Sequence, residues 1–267
     1  MPVLQRGNAQ IYYEVHGQGD PVVCLGGWGS FCHGEHHHLP WGLLDRHQVI
    51  IMDYRGIGES TDDPTLDATM DLYARDVCAI LDHLGLKNVH LLGMVGIGAC
   101  VTQIISITRP DLARSMVNTG SWATMDRFLK DQLELFLTVH REMGFLAFQK
   151  TVSLLSFEPG YYAKNIDRLL GESGVWHHLN GRVDAHARFI EASVRHDVMD
   201  ALRTVQTPSL ILHAPLDQVT GPRTTKPIED ALPNARGHVM EGAAHVIAGR
   251  PLKQAFADLL RDFYATV

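Results

Sequence analysis

The sequence predicts an α/β protein in which a mostly parallel sheet carries helices on both faces and receives a helical cap insertion. Two patterns support this fold class. Short β-branched runs alternate with segments of helical spacing along most of the chain, which is typical of parallel strands joined by crossover helices. Residues 122–205 contain no strand-like run, which indicates an inserted helical segment. The 267 residues are 45% hydrophobic and 20% charged, so one core is expected.

The predicted strands are short runs rich in β-branched and aliphatic residues. Between the first two of them, residues 16–20 include two glycines that permit a tight reversal. We therefore expect the chain to open with a hairpin. The predicted strands span 11–15, 21–25, 48–52, 88–92, 115–119, 209–213 and 236–240.

Apolar residues at intervals of three and four predict the covering helices. One such stripe runs from Met70 to Leu84, and Gly85 ends the helix. The closing helix is predicted over 251–265, where Pro251 stands at its start and the same spacing recurs.

The domain prediction follows from the position of the strandless segment. Leu129, Leu133 and Leu137 have helical spacing within it. We therefore assign 1–121 and 206–267 to the α/β core and 122–205 to a helical cap.

Charge and cysteine usage restrict the classes of partner and compartment. Lys and Arg number 23 against 30 Asp and Glu, a formal net charge of −7, and no basic run alternates with aromatics, so nucleic acid is not expected as a partner. The four cysteines lack metal-type spacing, which favours a reduced, cytoplasmic chain. The N-terminus lacks an apolar signal core, and no apolar run reaches the ~18 residues of a membrane span.

Five motifs in order resemble those of the α/β-hydrolase superfamily, and together they cover nearly the whole chain. They are GGWG (26–29), DYRGIGES (53–60), LLGMVGIGA (91–99), PSLILHAPLDQ (208–218) and MEGAAHVIAGRP (240–251). The start of the cap and the chain length resemble the branch of 3-oxoadipate enol-lactonases and aminoacrylate hydrolases, which hydrolyse small carboxylated lactones, enamines or esters. Residues 93–118 also resemble the NDR family, hydrolase-fold proteins that have lost the nucleophile.

The resemblance implies a triad acid at Asp217 and a base at His245. A carboxylate on imidazole Nδ1–H fixes the tautomer and stabilises the imidazolium. Asp126 is the alternative acid, because some families take the acid from the loop after the strand that here ends near Thr119. The nucleophile elbow G-x-Nu-x-G places Val95 at the nucleophile position, and valine has no nucleophilic atom. This departure closes the ordinary acyl-enzyme route.

The resemblance also implies an oxyanion hole and a substrate pocket around the elbow. The expected donors are the backbone N–H groups of Trp28 and Gly96. Gly27, Trp122 and Met94 are expected to contact the substrate. No cofactor is expected.

The histidine cluster HGEHHH (33–38) offers imidazoles and a carboxylate, which suit Zn²⁺ or iron. Metal sites usually draw ligands from separate rigid elements, whereas the side chains of adjacent histidines diverge. We therefore predict no metal here and expect a loop that contacts the substrate or is solvated. We also predict solvated helix faces for His177, His178 and His186 in the cap, with binding of an anionic substrate as the alternative.

These inferences predict an enzyme that acts on a small carbonyl or carboxylate compound by His–Asp general-base catalysis. Hydrolysis without a covalent intermediate, decarboxylation, isomerisation and lyase chemistry all remain open. One alternative is a conventional lactone or ester hydrolase with another nucleophile, for which Ser30, Cys32 and Ser121 are the candidates. The other is a catalytically silent binding protein. The expected partner is a small molecule, with a homodimer as an additional option.

Overall fold

The computed structural model describes residues 2–267, and this range contains an eight-stranded sheet. The strand order is β1-β2-β4-β3-β5-β6-β7-β8, and every pair from β4 to β8 across the sheet is parallel. The predicted fold class is therefore confirmed. The strands are β1 (Val3–Arg6), β2 (Ala9–His16), β3 (Asp20–Leu25), β4 (His47–Met52), β5 (Val89–Met94), β6 (Ala113–Thr119), β7 (Ser209–His213) and β8 (Ala235–Val239).

The predicted opening hairpin is wrong. Strand β2 pairs antiparallel with β4, and β3 pairs parallel with the other edge of β4, so the first two predicted strands are not neighbours. The hairpin is instead β1–β2, whose first strand has only four residues. The two glycines serve a close approach: a Cβ on Gly17 would lie 2.3 Å from the carbonyl oxygen of His47, and Gly19 has a φ of 117°.

Four helices of the described range flank the sheet: α1 (Met70–His83), α2 (Gly96–Thr108), α8 (Gly221–Ala231) and α9 (Arg250–Tyr264). The predicted helices at 70–84 and 251–265 correspond to α1 and α9. Helix α1 begins where the side chain of Thr69 accepts a hydrogen bond from the Leu72 N–H group. It ends just before Gly85, whose φ of 68° suits glycine after a helix.

Between β6 and β7, where every residue is described, the chain forms helices only, apart from one isolated bridge between Thr124 and Asp197. These helices are α3 (Arg127–Met143), α4 (Phe145–Ser156), α5 (Pro159–Leu169), α6 (Val183–Val194) and α7 (Met199–Leu202), together with the short 3₁₀ helix His177–Leu179. The Phe189 ring on α6 packs against the Tyr54 and Tyr73 rings of the core, at centroid distances of 6.0 and 5.7 Å. We propose the division into a 122–205 cap and a 1–121 and 206–267 core on this basis.

Successive strand residues point to opposite faces of the sheet, and both faces are buried. On β3, Val23 belongs to the apolar cluster that contains α1 and α2, whereas Val22 belongs to the cluster beneath α9. The four cysteines are buried with free thiols. Among residues 2–267, no helix has both the length and the apolar character that crossing a bilayer requires.

Candidate active site

The predicted site residues meet at the carboxyl edge of the parallel strands. The GGWG turn follows β3, and Val95 follows β5 directly. Asp217 lies on the loop after β7, and His245 lies on the loop after β8. Parallel strands present their carboxyl ends at one edge, which is where open α/β sheets bind ligands.

His245 and Asp217 form a hydrogen-bonded pair. The Nδ1 atom of His245 lies 2.9 Å from Oδ2 of Asp217, and the Asp217 side chain is 1% exposed. The other carboxylate oxygen accepts the N–H groups of Val219 and Thr220 at 2.8 and 2.9 Å. Burial raises the pKa of Asp217, but the charge of His245 and these hydrogen bonds outweigh it and hold that pKa well below its usual range. Asp217 is therefore an ionised carboxylate that orients the imidazole.

Thr220 is a third member of this network that sequence reasoning missed. Its hydroxyl donates to Oδ2 of Asp217 at 2.6 Å and lies 3.3 Å from Nδ1 of His245. The signal was present, because a threonine three residues after an aspartate, just before a helix, is typical of a local side-chain turn.

The alternative acid, Asp126, has another role. It caps α3 by accepting the Leu129 N–H group at 2.7 Å, and it forms an ion pair with Arg223. Both partners tie it to the start of α3 and to α8. Asp217, and not Asp126, is the carboxylate at the imidazole.

A narrow cavity of about 40 Å³ brings most of the predicted residues together. Met94 does not line it. The Met94 sulfur lies 3.7 Å from the Cys24 thiol, in the apolar cluster beneath α9. The lining residues that the sequence predicted are Gly27, Trp28, Val95, Gly96, Trp122 and His245, and those it missed are Leu133, Phe136, Val152, Ser156, Trp176, Val219 and Val246.

Val95 and His245 flank the same glycine. A Cβ on Gly120 would lie 3.0 Å from the imidazole and 3.1 Å from Cγ1 of Val95. On the other side of the valine, a Cβ on Gly27 would lie 3.3 Å from Cγ2. The aliphatic side chain thus stands beside the imidazole and the GGWG turn, and a Cβ at either glycine would be in tight contact with it.

The elbow backbone has the strained form that the motif predicts. Val95 has a φ of 53°, a region that β-branched residues rarely adopt and that costs about 1–3 kcal/mol. Small residues permit the turn: a Cβ on Gly93 would lie 2.5 Å from Ala99 Cα, and one on Gly98 would lie 2.3 Å from the Leu25 carbonyl oxygen. With Val95 at the nucleophile position, the second glycine of G-x-Nu-x-G would fall at position 97, where this chain has isoleucine. Gly98 makes the close backbone contact instead.

The two predicted oxyanion donors differ in their hydrogen bonding. The Trp28 N–H group donates to no group of residues 2–267. The Gly96 N–H group donates to the Gly120 carbonyl oxygen at 2.9 Å. Gly96 can serve an oxyanion only after its peptide turns away from Gly120, and its own φ of 53° marks a backbone that glycine tolerates.

Two polar groups on the cavity-lining residues lack partners within the described chain. The indole N–H of Trp122 and the hydroxyl of Ser156 are both buried without a hydrogen bond. A buried polar group without a partner costs about 1–3 kcal/mol. The backbone of Ser156 also holds the loop that carries His245, since the Ser156 carbonyl oxygen accepts a hydrogen bond from the Val246 N–H group at 2.9 Å.

The three candidate replacement nucleophiles do not line the cavity. Ser30 donates to the buried carboxylate of Asp53. Burial raises the pKa of the Cys32 thiol, which disfavours the thiolate. Ser121 is buried, and its hydroxyl has no partner among residues 2–267.

The cap histidines differ from the prediction of solvated faces. His186 is fully buried, its ring lies 4.8 Å from the Trp28 ring, and its Nδ1 lies 3.0 Å from Nδ1 of His140. Burial lowers the pKa of His186 to about 3. Burial likewise lowers the pKa of His178 to about 4, and its Nδ1 would lie 3.6 Å from a Cβ on Gly29.

Two histidine and glutamate clusters near the GGWG turn have metal-ligand chemistry. One comprises Glu14, His16 and His36, and the other comprises Glu35, His37 and His38. Neither cluster shares a residue with the cavity.

The sheet order, the elbow and the acid–base pair are those of the α/β-hydrolase class. The family model described as "alpha/beta hydrolase fold" matches residues 20–248, so the chain belongs to this family. A curated relative from Azorhizobium caulinodans, named "Putative carbamate hydrolase RutD", is 28% identical over 93% of this chain and 92% of its own length. A pyrrolizixenacetamide deacetylase from Xenorhabdus hominickii is 26% identical over 82% of each chain.

Solved structures have the same fold. The enol-lactonase from Burkholderia xenovorans superposes with a TM-score of 0.85 at 17% identity, covering 99% of this chain and all of that one. The α/β-hydrolase MGS-M2 from a deep-sea metagenome also has a TM-score of 0.85, at 20% identity, covering 99% of this chain and 97% of that one.

Proposed function

We propose that this chain is an enzyme that acts on a small carbonyl compound, with His245 as general base and Asp217 as its orienting carboxylate. The observation that carries the proposal is that the paired imidazole and Val95 border one cavity. The hydrolase names of the relatives agree with an activity of this general class.

The geometry supports proton transfer without a covalent intermediate. With Nδ1–H donated to Asp217, the lone pair of His245 Nε2 is available to take a proton from water or from a substrate C–H or O–H group. Valine cannot form an acyl-enzyme, so in this mechanism the base acts on water or on the substrate directly. The Trp28 N–H group then stabilises negative charge on the carbonyl oxygen, joined by Gly96 if its peptide turns.

The cavity also indicates which compounds fit. Its walls are mainly apolar and aromatic, and no Lys or Arg lines it within the described chain. The unpartnered hydroxyl of Ser156 and indole N–H of Trp122 each gain a hydrogen bond if a substrate oxygen reaches them. These features favour a small, neutral carbonyl group over a free carboxylate. Esters, lactones, enol lactones and carbamates are the classes to test first.

A second candidate function is a conventional ester or lactone hydrolase that uses Ser156 as nucleophile. The favouring observation is that its hydroxyl has no partner in residues 2–267 and that it lines the same cavity as His245. This serine ends α4 in the proposed cap and is not at the elbow. The two candidates differ in whether a covalent intermediate forms.

Turnover of these substrate classes by the wild-type chain and by His245→Ala tests the proposal. We expect His245→Ala to lose at least about a hundredfold in rate. His238→Ala is the matched control, since His238 is a partly exposed histidine of β8 outside the cavity, and it should keep wild-type turnover. Intact-mass measurement during turnover should show no adduct, and a fluorophosphonate should leave the rate unchanged.

The outcomes separate the candidates. An adduct that disappears in Ser156→Ala would establish the conventional hydrolase and overturn the non-covalent route. Turnover that is unchanged in His245→Ala would remove the base from the mechanism. A ligand that stabilises the fold thermally without turnover of any class would instead establish a binding protein.

A further inference from the structure

Glu14, His16 and His36 bring three possible metal ligands together outside the cavity. One ligand atom from each residue lies within 4.8 Å of the other two. Oε2 of Glu14 is 2.6 Å from Nε2 of His16, and the rings of His16 and His36 stack at a centroid distance of 4.5 Å. We propose that these three side chains bind a divalent transition metal such as Zn²⁺.

The ligands come from two separate elements of the fold. Glu14 and His16 are two residues apart on β2, so their side chains point to the same face of the strand. His36 lies on the short 3₁₀ helix Glu35–His38, which follows the GGWG turn. The sequence argument against a metal was that neighbouring histidines diverge, and β2 supplies the second element that this argument required.

Groups behind the ligands orient them. The second oxygen of Glu14, Oε1, accepts the His33 N–H group at 2.8 Å and the Tyr12 hydroxyl at 3.0 Å, which leaves Oε2 directed at His16. Metal sites commonly hold their ligands through such outer hydrogen bonds. Nδ1 of His36 is buried and has no hydrogen-bond partner in residues 2–267. A metal bound at either ring nitrogen would polarise this imidazole.

The ligand set determines the class of metal. Two imidazoles and one carboxylate suit Zn²⁺, Ni²⁺ or Cu²⁺, whereas Ca²⁺ and Mg²⁺ prefer oxygen ligands only. Zinc ligands at about 2.0–2.2 Å stand roughly 3.4 Å apart in a tetrahedron, so Oε2 of Glu14 and Nε2 of His16, now 2.6 Å apart, must separate to admit the ion, and the His36 ring must adjust its position. His16 and His36 are only partly buried, and their rings can turn to do so. Three protein ligands leave a fourth position for water.

The neighbouring cluster of Glu35, His37 and His38 is the natural comparison. Its three residues share one helical turn, and both histidines are exposed. His37 Nδ1 already lies 2.7 Å from the Gly34 carbonyl oxygen. This second cluster therefore has the same residue types as the proposed site, but all three of its residues come from one element of the fold.

Titration of chelator-treated protein with Zn²⁺ and Co²⁺, followed by calorimetry and by the visible spectrum of cobalt, tests the site. We expect one ion to bind per chain and cobalt to show ligand-field bands. His16→Gln and His36→Gln should each weaken binding by more than about tenfold. The double variant His37→Gln/His38→Gln is the matched control and should keep the affinity within about twofold.

Tyr12→Phe provides a test that removes no ligand. It deletes one hydrogen bond to Glu14 and should weaken metal binding by about tenfold if that bond orients the carboxylate. If a ligand variant fails to fold, Cu²⁺ broadening of the imidazole resonances in the wild-type chain gives the answer, and His16 and His36 should broaden first. Absence of stoichiometric binding, or binding lost only in His37→Gln/His38→Gln, would overturn the proposal.

Discussion

Replacing Asp217 by asparagine should move the proton of neutral His245 from Nδ1 to Nε2, with little change in side-chain volume. The amide oxygen can keep the two backbone bonds from Val219 and Thr220, but the NH₂ group then takes the place of Oδ2. Because NH₂ only donates, the imidazole must present an unprotonated Nδ1 to it. The proton moves to Nε2, and the base loses the lone pair that faces the cavity.

The size of the effect follows from the bonds that change. Two bonds to the buried carboxylate, from the hydroxyl of Thr220 and from His245, lose their acceptor. Hydrogen bonds to charged groups contribute about 1.5–3 kcal/mol each, so the two bonds set an upper limit of about 3–6 kcal/mol on the loss in the free energy of unfolding, and the bond from the new NH₂ group to Nδ1 of His245 recovers part of it. Loss of the correct tautomer lowered the rate by roughly 10⁴ in the serine-protease triad, and a similar loss of turnover is expected here.

Two measurements check this prediction, and neither requires the natural substrate. Long-range ¹H–¹⁵N spectra should show that neutral His245 carries its proton on Nδ1 in the wild-type chain and on Nε2 in Asp217→Asn, and urea unfolding should show the destabilisation. Asp63→Asn is a matched control, because Asp63 accepts the N–H and hydroxyl of Thr65 in a similar turn without a histidine. An unchanged His245 tautomer in Asp217→Asn would refute the reasoning.

Three further predictions concern the elbow, its neighbouring glycine and the buried histidines. Val95→Ser should acquire fluorophosphonate labelling and a burst with p-nitrophenyl acetate, and a variant without either would show that residue 95 does not face the base. Gly120 has a φ of 49°, and Gly120→Ala would place a methyl group 3.0 Å from the His245 ring. Denaturant unfolding of this variant should therefore show a loss of about 1–3 kcal/mol in the free energy of unfolding, and turnover should fall with it. His186 is neutral when buried, with its pKa lowered to about 3, and the unfolded chain protonates it near pH 6.5. Its stabilising contribution is therefore lost as the pH falls below about 6.5, by about 1.4 kcal/mol per unit, and His186→Leu should flatten that part of the profile of unfolding free energy against pH.

The fold was largely predictable because its signals are local. Alternating apolar runs identify strands, and three- and four-residue spacing identifies α1 and α9. The opening hairpin was not predictable from the same signals, since glycine marks both a reversal and a close approach. Only the positions of the carbonyl groups of His47, which Gly17 approaches, and of Arg46, which Gly19 approaches, distinguish the two.

The site was predictable where a motif fixes backbone geometry and unpredictable where contacts join distant segments. Asp217 and His245 follow strands at recognisable positions, and they pair as expected. The cavity wall contributed by Ser156 and Trp176 comes from the proposed cap, whose sequence carries helical periodicity but no signal for the face it turns to the sheet. The prediction that Met94 contacts the substrate is wrong, because strand alternation directs its side chain to the other face of the sheet.

The elbow shows why a valine can stand at a nucleophile position without collapse of the site. The positive φ at Val95 is imposed by the close packing of Gly93 on α2 and of Gly98 on the end of β3, and neither contact involves the side chain at position 95. The turn therefore accepts different side chains at a cost of about 1–3 kcal/mol in backbone strain. The ψ of 145° at Val95 accompanies a Gly96 N–H group directed at the Gly120 carbonyl oxygen, so of the two proposed oxyanion donors only the Trp28 N–H group has no partner in residues 2–267. A site with one ready donor stabilises a full oxyanion less than a site with two, at about 3–4 kcal/mol per donor elsewhere. Chemistry that needs a well-placed base more than a strong oxyanion hole suits this arrangement best.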